Sequence, residues 1–221
     1  MPLNSLKRLL LAASLLCLPG LSVHGRIGDT PRDMDGRILR PNVGRHFSTR
    51  GLNERELNQF QRDLPTTAFA RYLPDDLREV VYWKSARSRQ LSNDNGWRVH
   101  VHYWKDRSVL EAYRRVGESL SEFETNALLI LNRGGQTWRK VERAKGPRAE
   151  AQADTVIGYD FELGEDGLRA KVEGDWLLIY LTRFDRMLVE KKKEQDALDQ
   201  AEAEQRRLEQ QQKAPESIEG F

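Results

Sequence analysis

The chain has 221 residues, with 36 Lys and Arg against 34 Asp and Glu, 38% hydrophobic side chains and a single Cys. A charge balance this close to neutral argues against a general nucleic-acid binder, which carries a basic excess, and one Cys excludes a disulfide framework. The length suffices for one sizeable core, because a domain of about 150 residues buries roughly 70% of its unfolded surface.

The N-terminus carries the clearest signal. Lys7 and Arg8 precede an apolar run from Leu9 to Leu18, Pro19-Gly20 breaks it, and Val23-His24-Gly25 sets small residues at the recognition positions before a cut. This is the layout of a secretory signal peptide over 1–25, so the chain is expected to be exported to the periplasm, the cell envelope or the medium. The run is too short for a membrane span, which takes about 20 residues, and no transmembrane helix is expected in the mature chain. Cys17 is one more apolar residue of the run. Ser14, Leu15 and Leu16 ahead of it are a poor match to a lipidation cut, which wants small residues adjacent to the Cys. Cleavage would remove Lys7, Arg8 and the only Cys, leaving 34 basic and 34 acidic residues. The expected working chain is therefore charge-balanced and free of thiol chemistry.

Thr30-Pro31-Arg32-Asp33 places a capping Thr, a Pro at the first helical position and an acid three residues on, which predicts a short helix closed by Gly36 and Pro41. Asn53 followed by Glu54-Arg55-Glu56-Leu57 predicts a second short helix ending before Pro65. Val80 to Trp83 and Trp97 to Trp104 are β-rich runs, and Asn95-Gly96 between them marks a hairpin, since both residues accept the positive φ of a type I′ turn. The second strand alternates. Trp97, Val99, Val101 and Tyr103 form the face expected to be buried, and Arg98, His100, His102 and Trp104 form a partly exposed one.

Asp106-Arg107 turns the chain, and Val109 to Val116 is either a third strand or a helical turn. Ser121-Glu122-Phe123-Glu124 is a capping box for a helix ending near Gly134-Gly135. Residues 133–153 read as a long loop anchored by Trp138. A three-strand meander is predicted over Val156–Phe161, Leu168–Val172 and Trp176–Thr182, with turns at 164–167 and 174–175. Residues 186–213 have a helix-favouring composition. Their 3.5-residue seam (Phe184, Met187, Lys191, Glu194, Leu198, Ala201, Gln205, Leu208, Gln212) is apolar at five of nine positions, a thin basis for a coiled coil but a route to an oligomer. Residues 214–221 are expected to be disordered.

Several constellations carry chemistry. His100 and His102 lie on one strand face about 7 Å apart, a spacing that can chelate a divalent metal if further ligands join them; the plainer reading is two side chains of a sheet face. Tyr-Trp-Lys occurs at 82–84 and again at 103–105, so Trp83 and Trp104 either stack a ligand or pair across strands. Arg133, Arg139, Lys140, Arg143, Lys145 and Arg148 surround Trp138, a basic run suited to an acidic partner or to solvent. Gly117-Glu118-Ser119-Leu120-Ser121 lacks the last Gly of a nucleophile elbow. Neither a phosphate loop nor a His-Glu-x-x-His motif occurs, and no cofactor is implied.

Arg26-Ile27-Gly28-Asp29-Thr30, with the hairpin, the Ser121 helix ending in Asn132-Arg133-Gly134-Gly135 and Trp138, resembles a group of small exported bacterial proteins whose mature chains open Arg-Ile-Gly-Asp/Glu-Ser/Thr. The chain departs from that group by the insertion from Gly44 to Pro65. The resemblance implies export and a β-rich domain after a short helix, and brings no activity with it.

The sequence thus predicts one α+β domain over 26–185: an antiparallel sheet of five to six strands with a packed helix, short N-terminal helices and a protruding charged C-terminal helix. The expected function is a non-catalytic envelope or periplasmic binding or interaction module, with a protein or envelope component as partner. The alternatives are a hydrolase with a site assembled from distant residues, and a divalent-metal protein using His100 and His102.

Overall fold

Residue chemistry near Thr30 sets the first helix. The computed structural model describes residues 27–39, 44–47, 54–55, 60, 64–85, 96–141, 155–164 and 167–212. Helix α1, Pro31–Ile38, is closed at its start by a reciprocal cap: Thr30 Oγ1 accepts the Asp33 N–H at 3.2 Å and the Asp33 carboxylate accepts the Thr30 N–H at 3.1 Å. Its buried residues, Met34 and Ile38, stand four apart on one stripe. Residues 1–26, and with them the expected signal peptide, lie outside the described residues, as do 213–221. Of the helix expected from Asn53, only Glu54, Arg55 and Phe60 are described.

Eight strands form one antiparallel sheet in the order β1-β2-β3-β4-β8-β7-β6-β5. They are β1 (Gly44–His46), β2 (Arg78–Lys84), β3 (Gly96–Trp104), β4 (Arg107–Val116), β5 (Arg139–Lys140), β6 (Phe161–Leu163), β7 (Leu168–Glu173) and β8 (Trp176–Leu181). Two four-strand meanders are thus zipped together where β4 pairs with β8. The expected five to six strands fall short because β1 and β5 are edge strands of three and two residues with polar sequences. Such pieces carry no periodicity and exist because a longer neighbour supplies their ladder. Val109 to Val116 is strand, not helical turn, within β4. The stretch 156–160 ahead of β6 is irregular.

Asn95 lies outside the described residues and Gly96 opens β3. The tight turn that is visible joins β3 to β4, where Lys105 and Asp106 sit at φ 51° and 56°. Both central residues of a two-residue type I′ hairpin need positive φ, which favours Asn-Gly. Changing Lys105-Asp106 to Asn-Gly is expected to stabilise the fold by about 1 kcal/mol. Equal denaturation midpoints for the two proteins would count against that assignment of strain.

The sheet is covered on both sides. One face carries Tyr82, Val99, Val101, Tyr103, Tyr113, Leu177 and Ile179 beneath α1 and helix α2 (Glu122–Asn132). The other carries Leu110, Ala112, Trp176, Leu178 and Tyr180 beneath Phe69, Ile157, Phe184 and Leu188. Of the β3 face expected to be partly exposed, Arg98 and Trp104 are so, but its middle is interior: His100 is 0% and His102 3% exposed. A register shift at His102/Tyr103 sets Val109 and Leu110 into one cluster.

Helix α2 begins on the expected capping box, with Ser121 and Glu124 bonding reciprocally, and Gly134 and Gly135 take positive φ beyond its end. Helix α3 runs over Thr182–Gln212. Its first turns are core: Phe184, Asp185, Leu188 and Val189 are buried, while residues from 197 to 211 are exposed. The fold thus consumes Phe184 and packs Met187, the first two apolar members of the proposed seam. No helix among the described residues is long and apolar enough to cross a membrane.

Candidate functional site

The two helices on the first sheet face do not close over it. From α2, Glu124, Ala127, Leu128 and Leu131 follow at intervals of three, four and seven residues, which sets them on one side of the helix. From α1, Met34, Arg37 and Ile38 share the facing side by the same spacing. Between them the floor is Lys84, Trp97, Val99 and Tyr113 of β2, β3 and β4, and the space enclosed is about 450 Å³. That volume lies within the range of small-ligand sites, which are mostly apolar with a few placed polar groups.

Local packing fixes each wall. A Cβ on Gly44 would meet Ile38 O at 2.6 Å, so only glycine lets β1 draw so close to the end of α1. At the far wall the indole N–H of Trp138 donates to Leu129 O at 2.6 Å and ties down the last turn of α2. Trp138 thus acts as an anchor, half-buried beside the helix it holds.

The charged lining groups are already partnered. Arg37 meets Asp29 at 2.8 Å and faces Glu111, 3.8 Å away. Glu111 is fully buried on β4, where it accepts hydrogen bonds from Tyr113 and, at 3.4 Å, from Ser108 Oγ. Glu124 answers both Ser121 and Arg115, the latter at 3.2 Å, and Arg115 lies over the Trp97 ring at 5.3 Å. Behind α1, Tyr82 donates to Asp35 at 2.7 Å and lies 3.4 Å from the Tyr103 hydroxyl. Burial holds both phenols protonated, pushing Tyr103 up to about 12 and Tyr82 further.

On the opposite face the two imidazoles share one carboxylate. His100 Nδ1 donates to Glu79 Oε1 at 2.6 Å, and His102 Nε2 is 3.5 Å from the same oxygen. Register explains the meeting, since Glu79 lies directly across from His102 on β2. Burial pushes His102 down to about 4 and lowers His100 as well, so both rings are neutral at pH 7. Burial pushes Glu79 up, but the hydrogen bond from His100 and the charge interactions with His102, His100 and, least, Arg98 together outweigh it and hold the carboxyl below its usual range. Phe60 stacks on His100 at 5.7 Å and Trp176 meets it edge-on at 5.1 Å. Among the described residues, no group of three His, Cys, Asp or Glu is placed to hold a metal ion.

The other residues singled out from sequence do not converge. Trp83 is buried on β2 opposite Arg98, stacked on Phe47 at 6.0 Å. Trp104 sits opposite Arg107, its indole donates to Asp76 at 3.1 Å, and Lys105 lies over its ring at 4.4 Å. The two tryptophans therefore make neither a platform nor a pair. Arg139 is ion-paired with Glu162, Lys140 is exposed, and Arg143, Lys145 and Arg148 lie outside the described residues. From β5 to β3 is five strand steps, roughly 24 Å at about 4.8 Å each, so Arg139 and the His100 face belong to different regions.

The cleft was legible only in fragments. Met34/Ile38 and Leu128/Leu131 show the right spacing, yet neither helix alone reveals that the space between them stays unfilled. No protein-family model, curated protein or solved structure matches this chain.

Proposed function

We propose that this chain is an exported, non-catalytic binding module of the cell envelope or periplasm, and that it holds an apolar group of its ligand, alkyl or aromatic, between α1 and α2. One observation carries the reading: a cleft of about 450 Å³ whose walls and floor are mainly Met34, Ile38, Trp97, Val99, Leu128 and Leu131. An apolar group entering it leaves water at a gain of roughly 25 cal/mol per Å². The charged groups at the cleft already have protein partners, so they set the orientation of a ligand more than its affinity. Acid–base chemistry finds less support there. Glu124 is the one carboxylate among the described lining residues, and it serves the α2 cap and Arg115. In this reading the ligand surface is the cleft, and neither Trp104 nor the basic residues near Trp138 belong to it.

Anilinonaphthalene sulfonate, an apolar aromatic probe, tests the proposal directly. Saturable binding at one site per chain is expected. Ala127→Trp, which fills the gap between the helices, should weaken it at least tenfold, or about 1.4 kcal/mol, without lowering the Tm. Equal binding by both proteins would remove the cleft from consideration.

A further inference from the structure

Exposed apolar surface is concentrated in two places. Of the six large hydrophobic side chains exposed among the described residues, Phe123 (82%), Ile130 (55%) and Leu131 (48%) belong to α2, and Leu198 (59%) and Leu208 (51%) to α3. Isolated exposed leucines need no explanation, but a stripe repeated along a helix does. Phe123 and Ile130 are seven residues apart, two turns on one side of α2. Leu198, Ala201 and Leu208 follow one another along one side of α3. The stripes are about 10 and 15 Å long at 1.5 Å per residue.

They cannot meet within one chain. Leu128 and Leu129 root α2 in the cluster on the first sheet face, while Phe184 and Leu188 root α3 in the cluster on the opposite face. We propose that two copies of the chain associate, the outer half of α3 from each lying antiparallel along the exposed stripe of the other's α2. A two-fold axis makes this contact twice, so the assembly closes as a dimer.

Charge fixes both the direction and the partner. Helix α2 runs from acid to base, with Glu118 and Glu122 before or beside Phe123 and Arg133 after Leu131, all exposed. From Glu194 on, α3 carries Asp196, Asp199, Glu202 and Glu204 ahead of Arg206 and Arg207, which sit beside Leu208 and before Glu209, so it too runs mainly from acid to base. Antiparallel packing sets Glu122 near Arg207 and Arg133 near Glu194, whereas parallel packing sets like charges together. An anionic membrane surface is the poorer partner, because Glu118 and Glu122 flank Phe123, the most exposed apolar side chain of the stripe.

Sedimentation equilibrium on the purified chain tests this. A dimer is expected at tens of micromolar. Leu198→Glu with Leu208→Glu should give a monomer of unchanged circular dichroism, since neither side chain packs in the core. Glu122→Arg should weaken association about tenfold, and adding Arg207→Glu in the same chain should restore it, because each dimer contains both contacts. A monomeric wild type overturns the proposal, as does a dimer that none of these substitutions moves. A wild-type monomer that binds vesicles of anionic phospholipid, and loses that binding on Phe123→Ser, would overturn it in favour of a membrane surface. The test is separable from that of the cleft, since Leu198 and Leu208 belong to α3, which lines no part of it, and Leu198→Glu with Leu208→Glu should leave probe binding unchanged.

Discussion

Replacing Asp185 by Leu is expected to destabilise the fold by about 4 kcal/mol. The Asp185 carboxylate is fully buried in the first turn of α3, where one oxygen accepts the N–H of Val156 at 3.1 Å and of Ile157 at 2.9 Å. Its other oxygen meets Arg169 at 3.2 Å, and that guanidinium lies over the Tyr159 ring at 4.1 Å. The one side chain therefore ties an irregular stretch, strand β7 and the root of α3 to each other. Leucine fills similar space but orphans two backbone donors, at about 1–3 kcal/mol each when buried. It also leaves Arg169, whose side chain is 15% exposed, without its counter-charge; breaking a buried ion pair from one side costs about 3–5 kcal/mol. These costs overlap, and burial of the new methyl groups offsets part of them. Asp185→Asn keeps an oxygen for the backbone and avoids burying a charge, so it should cost less than half as much. Chemical denaturation of the two variants decides the matter. A Leu variant within 1 kcal/mol of the wild type would mean that the clasp is ornamental to stability.

That clasp also marks where the sequence stopped being readable. Features set by neighbours in the chain were legible: Thr30 with Asp33, Ser121 with Glu124, the Gly134-Gly135 stop and most of the meander follow from spacing of a few residues. Features set across the sheet were not. The alternation in β3 suggested one buried and one wetter face because Arg98, His100 and His102 are polar. What covers His100 is Phe60 and Trp176, many residues away in the chain. Glu79 meets the two histidines only through the β2–β3 register. Asp185 reads as one more charge at the start of a charged helix, and nothing near it announces two backbone partners some 28 residues upstream. The cleft is the extreme case, being a space that depends on how two separately legible helices are held apart.

The buried histidine pair predicts acid sensitivity with a definite sign. In the unfolded chain an imidazole takes up a proton near pH 6.5; in the fold, burial keeps His102 neutral down to about 4. The unfolded state therefore binds the extra proton first as the pH falls. Stability is fully present above about pH 6.5, and His102 alone withdraws about 2 kcal/mol of it by about pH 5 and about 3 kcal/mol by about pH 4. His100, also lowered, adds to the loss in the same direction. Glu79, held below its ordinary value, joins only at lower pH, as its carboxyl is protonated. Asp185 works the other way, because burial raises its carboxyl and its ionised form costs stability as the pH rises. The wild-type profile alone mixes these contributions, and the difference between wild type and His102→Gln isolates one of them. Glutamine cannot titrate, so the variant should lose markedly less stability between pH 7 and pH 5 than the wild type. Parallel profiles would assign the acid response to His100 or to the carboxylates.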